Sequence, residues 1–449
     1  MSVDRKKSQQ VSRRHFLGTM AAASTTIAGG YWINPTPARA STSPNEKLNI
    51  GVVGVANKGW HNVEQLTSEN MVALCDVDSN YLDRAAQTYG QAKRYRDYRV
   101  MLEKEANNID AVVVSTADHT HAPATSVALD LGKHVYCEKP LTHTVEEARA
   151  ISNLAKKKMV ATQMGTQIHA GDNYRRVVEL IQGGAIGDVT AVYNWCNKGW
   201  SDGRFEKTDQ PAPANLDWDL WLGPAKERAY SPNVHPANWR RFWEYGSGTF
   251  GDMACHVMDL PFWALGLRYP TSVECEGPEV HPVGAPSWTK ATYEFPKKDG
   301  GTLKFCWSDG GAHFDLVKET KDKGGRALSQ WGLGILFVGD KGMLLADYGQ
   351  NQLLPTEDFA DFKRPEPTIP SSVGHWQEWV NACKTGSPTT CNFDYSGALT
   401  ETVLLGIVAF RTGKKLMWDA DALQATNEAD AEQFVKKEYR KGFEVVGIG

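Results

Sequence analysis

The stretch Leu48-Asn-Ile-Gly-Val-Val-Gly54-Val-Ala-Asn-Lys-Gly59 decides the fold of the first part of this chain. Its apolar half predicts a short buried strand, and the G-x-A-x-x-G pattern that follows predicts a tight turn into a helix. The first glycine permits the turn, a small second residue lets backbone approach a pyrophosphate, and the third brings helix and strand together. Ala56 fulfils the second role less freely than glycine would. The stretch therefore predicts a dinucleotide-binding turn with phosphates at the helix N-terminus.

A carboxylate follows the next predicted strand. Residues 71–75 are apolar and end at Asp76, 22 residues after Gly54, which is where an acidic side chain meets the ribose of a bound dinucleotide. A carboxylate accepts hydrogen bonds from a 2′-hydroxyl and repels a 2′-phosphate. Asp76 therefore favours NAD over NADP, although Lys58 could weaken this preference.

Strands and helices keep alternating after Asp76. Asp78 predicts a helix N-cap, residues 110–115 predict a buried parallel strand, and Thr144 with Glu147 predicts a capping box. This repetition predicts an α/β fold whose N-terminal Rossmann domain, residues 46–166, has a doubly wound parallel sheet.

Ligands of such a sheet lie outside the carboxyl ends of its strands. Four groups of residues fall at these ends: Gly54, Asp76, residues 116–121 and residues 138–140. Within the third group, His119 and His121 could either reach the cofactor or cap the helix that follows; the sequence leaves both possibilities open.

At residues 138–140, Glu-Lys-Pro, the chain resembles the glucose–fructose oxidoreductase, inositol dehydrogenase and rhizopine-catabolism family (Gfo/Idh/MocA). The resemblance covers nearly all of the chain after its first 40 residues. Ala56 departs from the family's glycine pattern. The segments that carry the resemblance are the glycine turn, residues 116–121, residues 132–135, residues 138–140, residues 163–167 and Asp252-Met-Ala-Cys-His256.

The resemblance implies an NAD-dependent oxidoreductase that acts on CH–OH groups of a sugar, cyclitol or related polyol or ketone. It also implies that Lys139, Asp252 and His256 form the reaction centre. The family's second domain is an α/β domain with a large open sheet that often makes oligomer contacts, so we expect a homo-oligomer, a dimer or tetramer.

From Gln167 onward the sequence pattern changes, and residues 167–449 predict a C-terminal α/β domain for substrate binding and oligomerisation. Its strands should form a mostly antiparallel sheet, and the candidates are residues 187–197, 288–295, 301–307, 333–338 and 342–347. A long Trp-rich connection, residues 199–251, suits the apolar faces of sugars, although most of its rings are expected to anchor the loop itself.

Each residue of the proposed reaction centre has a side chain that suits one chemical role. Asp252 and His256 are four residues apart, which places both side chains on one face of a helix. His256 would take the hydroxyl proton as general base, Lys139 would polarise the same oxygen, and Asp252 would orient or tune His256 and could bind a substrate hydroxyl. Such an Asp–His pair is also common on helix surfaces, and a lysine at a strand end is normally solvated.

The remaining site predictions concern ligand contacts. The residues expected to bind the cofactor are Gly54, Ala56, Asn57, Lys58, Gly59, Asp76, Thr116, His121, Glu138, Lys139 and Gln167. The residues expected to bind the substrate are Lys139, Gln167, Trp239, Arg240, Tyr245, Asp252 and His256.

The first 40 residues predict a signal peptide. Residues 12–17, Ser-Arg-Arg-His-Phe-Leu, match a twin-arginine pattern, and residues 38–40, Ala-Arg-Ala, match a cleavage site. The intervening apolar run is short and broken by glycines, so we expect no permanent membrane span, although an uncleaved anchor is the alternative. The twin-arginine translocation machinery would then export a folded protein, with its cofactor already bound, to the periplasm.

Composition excludes other classes of protein. The 449 residues carry a net charge of −4, which gives no basic character for nucleic-acid binding. None of the eight cysteines forms a Cys-x-x-Cys pair, and no cluster has a spacing typical of zinc. We therefore expect a small-molecule carbohydrate as the partner, with no nucleic acid and no bound metal.

Two other functions would use the same residues. A glycoside hydrolase or lyase could use bound NAD transiently, by oxidising a carbinol, eliminating the leaving group, adding water and reducing the product. A sugar-binding protein could retain the fold without catalysis, although the presence of Lys139, Asp252 and His256 together argues against it.

Overall fold

The computed structural model describes residues 47–208, 210–298 and 300–448, so the predicted signal peptide lies outside the described residues. The strands are β1 (Asn49–Val53), β2 (Asn70–Cys75), β3 (Lys93–Tyr95), β4 (Ala111–Val114), β5 (His134–Cys137), β6 (Thr162–Met164), β7 (Val189–Cys196), β8 (Ser272–Glu276), β9 (Lys290–Pro296), β10 (Thr302–Asp309), β11 (Leu333–Gly339), β12 (Gly342–Ala346), β13 (Asn351–Leu354), β14 (Leu416–Asp419) and β15 (Gln424–Ala425).

Thirteen α-helices connect these strands within the described part of the chain. They are α1 (Lys58–Gln65), α2 (Ser79–Thr88), α3 (Tyr98–Lys104), α4 (Asp118–Asp130), α5 (Val145–Lys158), α6 (Asp172–Gln182), α7 (Trp218–Leu222), α8 (Gly248–Val257), α9 (Asp259–Leu265), α10 (Asp315–Glu319), α11 (His375–Thr385), α12 (Phe393–Thr412) and α13 (Glu432–Val435).

The first six strands form one parallel sheet in the order β3-β2-β1-β4-β5-β6. Successive strands move outward in opposite directions from the β1–β4 pair, so the sheet is doubly wound and a crevice opens at that pair. The predicted helix signals are confirmed: Asp78 accepts a hydrogen bond from the Asn80 N–H, and Thr144 with Glu147 forms a capping box at α5. The predicted Rossmann sheet is therefore confirmed.

The remaining strands form a nine-stranded sheet in the order β13-β12-β11-β7-β10-β9-β8-β14-β15. All neighbouring pairs are antiparallel except β7 and β10. The five predicted strands are present as β7, β9, β10, β11 and β12, which confirms the mostly antiparallel sheet. The four that the sequence analysis missed are short strands, of two to five residues, at or near the sheet edges.

Helix α12 packs against both domains. It packs on α5 and β8 and also contacts α8. Arg149 of α5 reaches across to Glu401 of α12, with Arg149 Nη2 3.0 Å from Glu401 Oε1. Among the described residues α12 is long and apolar enough to span a membrane, but 89% of its most apolar window is buried inside the protein. It is therefore placed as a core helix.

Candidate active site

A groove of about 720 Å³ runs along the carboxyl ends of the parallel strands. At one end it is lined by Asp76 and Asp97, and in its middle by the turn after β1. At the other end it is lined by Lys139 and His256. A single continuous groove thus joins the predicted dinucleotide turn to the predicted reaction centre.

The turn after β1 has the geometry that the glycine pattern predicts. Gly54 has a φ of +85°, and a Cβ there would lie 2.6 Å from the Ser115 carbonyl oxygen. A Cβ on Gly59 would lie 2.1 Å from the Gly54 carbonyl oxygen, so this glycine allows α1 to pack against the turn. In the described structure, the N–H groups of residues 56–58 donate to no protein acceptor. Three consecutive free donors at a helix N-terminus fit a pyrophosphate.

Asp76 stands at the end of β2, on the wall of the groove. Its two carboxylate oxygens accept hydrogen bonds from the Val55 N–H (2.9 Å) and the Asp78 N–H (3.0 Å). Burial nevertheless raises the pKa of Asp76 to about 6. The carboxylate thus braces the turn and still has acceptor capacity for ribose hydroxyls, since each oxygen has more than one lone pair.

Glu138 is the central acceptor of a buried hydrogen-bond network next to the turn after β1. It accepts hydrogen bonds from Asn62 Nδ2 (2.9 Å) and Gln167 Nε2 (3.1 Å), and Lys58 Nζ lies 3.8 Å away. Glu138 and Gln167 both line the groove. Their side chains link α1, β5 and the segment after β6, so they hold the groove floor in shape.

His119 and His121 both lie in the first turn of α4 and are bonded to backbone carbonyls. His119 Nε2 lies 3.0 Å from the Trp221 oxygen, and His121 Nδ1 lies 2.7 Å from the Pro140 oxygen. Burial lowers the pKa of His121 to about 4 and that of His119 to about 3, so both rings are neutral. His121 therefore anchors the loop that carries Lys139, next to the groove that it also lines.

The reaction centre consists of two cations that share one carboxylate. Lys139 Nζ donates to the Asp252 side chain and to the Asp252 carbonyl oxygen (2.8 Å). Arg240 Nε lies 2.8 Å from Asp252 Oδ1, and Trp200 Nε1 donates to Asp252 Oδ2 at 2.9 Å. Burial alone would raise the pKa of Asp252, but Lys139 and Arg240 hold it well below its usual range. Asp252 is therefore an anion that positions Lys139.

His256 lies one turn after Asp252 on α8 and lines the same groove. Burial, reinforced by the Lys139 cation, lowers the pKa of His256 to about 3, so the ring is neutral and can accept a proton. No hydrogen bond joins Asp252 to His256 in the described structure, because the Asp252 oxygens are taken by Lys139, Arg240 and Trp200. Of the two roles expected of Asp252, orienting or tuning His256, this geometry favours tuning, because the Asp252 charge acts through space to raise the pKa of His256 against the effect of burial.

Six of the seven predicted substrate contacts line the groove, and Tyr245 does not. Trp239 and Arg240 line the groove, with the Arg240 guanidinium 4.1 Å from the Trp239 ring centroid. Tyr245 is 0% exposed and packs behind the wall, against His119 and Trp221. The direct substrate contact expected of Tyr245 is therefore corrected to a supporting role, because the apolar ring is buried in the cluster that anchors the loop.

Two segments that were not predicted contribute side chains to the adenosine end of the groove. The loop before α7 is pinned to the end of β2, where the Ser79 N–H donates to the Asn215 oxygen and the Asp217 N–H donates to the Val77 oxygen. The C-terminal segment, residues 436–448, adds Phe443 to the groove lining. We call these two segments, residues 215–222 and 436–448, the roof.

Two family models match the chain. The model described as "Oxidoreductase family, NAD-binding Rossmann fold" matches residues 48–166, and the one described as "Oxidoreductase family, C-terminal alpha/beta domain" matches residues 182–310. Together they span more than half of the chain. The chain belongs to the Gfo/Idh/MocA oxidoreductase family. Its first domain is accordingly the family's NAD-binding Rossmann domain, and NAD is the cofactor.

The chain is also similar over part of its length to a glycosidase. The alpha-N-acetylgalactosaminidase of Shewanella oneidensis is 26% identical over 205 residues, which cover 40% of this chain and 44% of that protein. The matched part thus spans under half the length of this relative.

Solved structures show the same fold at low identity. The scyllo-inositol dehydrogenase of Lactobacillus casei, with NAD(H) and scyllo-inositol, is 19% identical, with a TM-score of 0.53 over 82% of this chain and 98% of that one. The WlbA dehydrogenase of Bordetella pertussis, with NADH and UDP-GlcNAcA, is 18% identical, with a TM-score of 0.56 over 84% of this chain and 100% of that one.

One cluster in this Gfo/Idh/MocA chain has metal-ligating side chains, namely His169, Asp259 and Cys391. All three are buried, and Asp259 already accepts hydrogen bonds from His169 Nδ1 (2.9 Å) and the Tyr395 hydroxyl (2.7 Å). None of the three lines the groove. We therefore interpret the cluster as a hydrogen-bonded part of the core. The absence of a bound metal stays a prediction.

Proposed function

We propose that the chain is an NAD-dependent oxidoreductase that transfers hydride between a retained cofactor and a carbinol carbon of a sugar, cyclitol or related polyol. The observation that carries this proposal is the single groove, because Lys139 and His256 line it together with the turn that offers three free N–H donors. A cofactor on that turn would extend along the groove toward both side chains.

His256 and Lys139 have separate roles in the proposed reaction. When bound, the nicotinamide supplies the hydride acceptor or donor. His256 is neutral, so it takes the substrate hydroxyl proton during oxidation and returns it during reduction. Lys139 donates two N–H groups to Asp252 and keeps its third for the substrate oxygen. The positive charge then stabilises the alkoxide that develops on that oxygen.

Arg240 and Trp200 support this arrangement from the groove wall. Both bind Asp252, so the carboxylate stays ionised and fixed even while Lys139 engages the substrate. The backbone N–H of Trp200 donates a hydrogen bond to the Thr249 hydroxyl at 2.6 Å, which ties Trp200 to the start of α8. The exposed part of Trp200 and the Trp239 ring offer aromatic faces for the apolar side of a sugar.

Retention of the cofactor follows from the roof and agrees with export. Leu220, Trp221 and Phe443 of the roof line the groove, so their contacts with a bound dinucleotide would slow its release. Export of the folded, loaded protein to the periplasm by the twin-arginine machinery, as the N-terminal sequence predicts, requires this kind of retention. A homo-oligomer formed through the large sheet completes the proposal.

A second function is favoured by a specific observation. The similarity to alpha-N-acetylgalactosaminidase supports a glycoside hydrolase that uses bound NAD in a transient cycle of oxidation, elimination, water addition and reduction. Such a cycle returns the cofactor to its starting state, which suits a cofactor that stays bound. Its first step needs the same Lys139 and His256.

One experiment separates the two functions. The purified protein is analysed for acid-released nucleotide and is then mixed with a panel of free polyols and of aryl glycosides. Stoichiometric reduction of bound NAD by a polyol supports the oxidoreductase, whereas glycoside cleavage without net redox change supports the hydrolase. Lys139→Met should lower either activity about 10²–10³-fold, and Lys304→Met, an exposed lysine on β10, should change neither. Normal turnover in Lys139→Met, or a protein that binds no NAD, would refute the proposal.

A further inference from the structure

A second cleft, of about 970 Å³, lies on the other side of His119 from the active-site groove. His119 lines both cavities, and the stretch Trp243–Ser247, which leads into α8, contributes to the wall of the second one. Apolar side chains of α12 and α13 form much of its surface. They are Leu404, Ile407, Val408 and Phe434.

One partly buried cation in this cleft has no partner among the described residues, whereas Lys226, which also has none, is exposed. Arg411, near the end of α12, makes no side-chain hydrogen bond or ion pair with any described residue. Its guanidinium instead lies between two rings, 4.1 Å from the Phe434 centroid and 5.4 Å from the Trp243 centroid. Burial is the cause that lowers the pKa of Arg411, to about 10, and no carboxylate offsets it.

Three other cations of the cleft already form ion pairs. Lys437 Nζ lies 2.7 Å from Glu147 Oε1, and Arg228 Nη2 lies 3.0 Å from Glu244 Oε2. Lys436 pairs with Glu432 at 2.9 Å. A half-buried guanidinium without a counter-ion is costly, because it loses solvating water and, among the described residues, gains only the two ring contacts in return.

We propose that this cleft binds a small organic monocarboxylate with an apolar body, whose carboxylate pairs with Arg411. A planar guanidinium held between two rings presents its N–H edge in a fixed direction, which matches bidentate binding of a carboxylate. The apolar surface of α12 and the Trp243 ring would cover the rest of the ligand. His143 adds a buried ring nitrogen, Nδ1, that has no partner in the described structure.

Charge argues for a monoanion rather than a phosphate. Asp430, Glu432, Glu438 and Glu244 also line the cleft, so a dianion would meet repulsion that a single carboxylate largely avoids. This site is separate from the NAD groove and does not depend on the reaction that occurs there.

The test uses the NAD-loaded full chain and benzoate as the probe, with benzamide as its uncharged isostere. Ligand-observed NMR titration should show benzoate binding, much weaker benzamide binding, and at least about a tenfold loss of benzoate affinity in Arg411→Gln. The matched control is Arg326→Gln, because Arg326 also lies over a tryptophan ring, 5.0 Å from the Trp331 centroid, and does not line the cleft.

Several results would overturn the inference. Benzoate binding that is absent in the wild type, unchanged in Arg411→Gln, or equally reduced in Arg326→Gln would exclude a carboxylate site at Arg411. Benzamide binding as tight as benzoate would show a merely apolar cleft. Displacement of benzoate by inorganic phosphate at lower concentrations than benzoate itself would show a general anion site. None of these readouts requires turnover, so they are independent of the proposed reaction.

Discussion

Removal of the Phe443 side chain should release bound NAD faster while leaving the reaction centre intact. Phe443 is 4% exposed and lines the adenosine end of the groove. The Arg99 guanidinium lies 3.8 Å from the centroid of its ring, and Arg99 Nη1 donates to the Gly442 oxygen at 2.9 Å. These contacts hold the C-terminal segment of the roof against the first domain.

The size of the effect follows from the contacts that would be lost. Truncation of a buried phenylalanine to alanine costs about 3–5 kcal/mol. If about 3 kcal/mol of this is lost only from the closed roof, the open population rises roughly a hundredfold, since about 1.4 kcal/mol corresponds to tenfold. The ion pairs of Lys437 with Glu147 (2.7 Å) and Arg440 with Asp219 (2.6 Å) remain in the variant and keep the tail attached.

The assay measures release directly. Protein loaded with NAD is mixed with an enzyme that destroys free NAD, and the loss of bound NAD is followed over time. Phe359→Ala is the control, because this phenylalanine lies at the end of the short helix after β13 and outside the groove lining. A release rate in Phe443→Ala within about threefold of the wild type would refute the role of the roof, as would equal acceleration in both variants.

Three further results are expected at the site. Lys139→Met should lower kcat/KM about 10²–10³-fold without unfolding the protein, because Asp252 keeps its partner Arg240; circular dichroism and steady-state rates check both parts. His256, with its pKa lowered to about 3, should keep oxidation rates flat from about pH 8 down to about pH 5, and Lys139→Met should move the acid limb of the pH–rate profile upward. Burial raises the pKa of Asp76 to about 6, and Asp76 binds ribose as the anion. The NAD affinity of stripped protein, measured by calorimetry, should therefore fall about tenfold per pH unit below about pH 6. Asp76→Asn should remove this pH dependence.

Local sequence patterns predicted the parts of the site that depend on neighbouring residues. The turn after β1 was predictable because each glycine has a steric reason: a Cβ on Gly54 or Gly59 would meet backbone within 2.6 Å. The parallel sheet was predictable because its strands are continuous apolar runs between capped helices. The resemblance added Lys139, Asp252 and His256, which spacing alone does not distinguish from ordinary surface residues.

Contacts between distant parts of the chain were not predictable in this way. Lys139 and Asp252 are 113 residues apart, and no local pattern indicates that Asp252 pairs with Lys139. The contact of Arg99 with Gly442 joins residues 343 positions apart, and no local pattern marks residues 436–448 as part of the groove. Tyr245 was misplaced because an aromatic residue in a Trp-rich loop can face a ligand or the core, and packing decides which.

The roof also provides a way to distinguish a reaction that exchanges NAD in every cycle from one that keeps NAD bound. An oxidoreductase that consumes external NAD must exchange its cofactor in every cycle, so opening of the roof would limit its turnover. Phe443→Ala should then raise kcat when NAD is in excess. A hydrolase that regenerates NAD within each cycle never needs the roof to open, and the same variant should only lose activity, as NAD escapes into cofactor-free buffer. Phe443→Ala could instead release NAD faster and leave the turnover rate unchanged, both with excess NAD and in cofactor-free buffer. That result would show that cofactor exchange limits neither reaction.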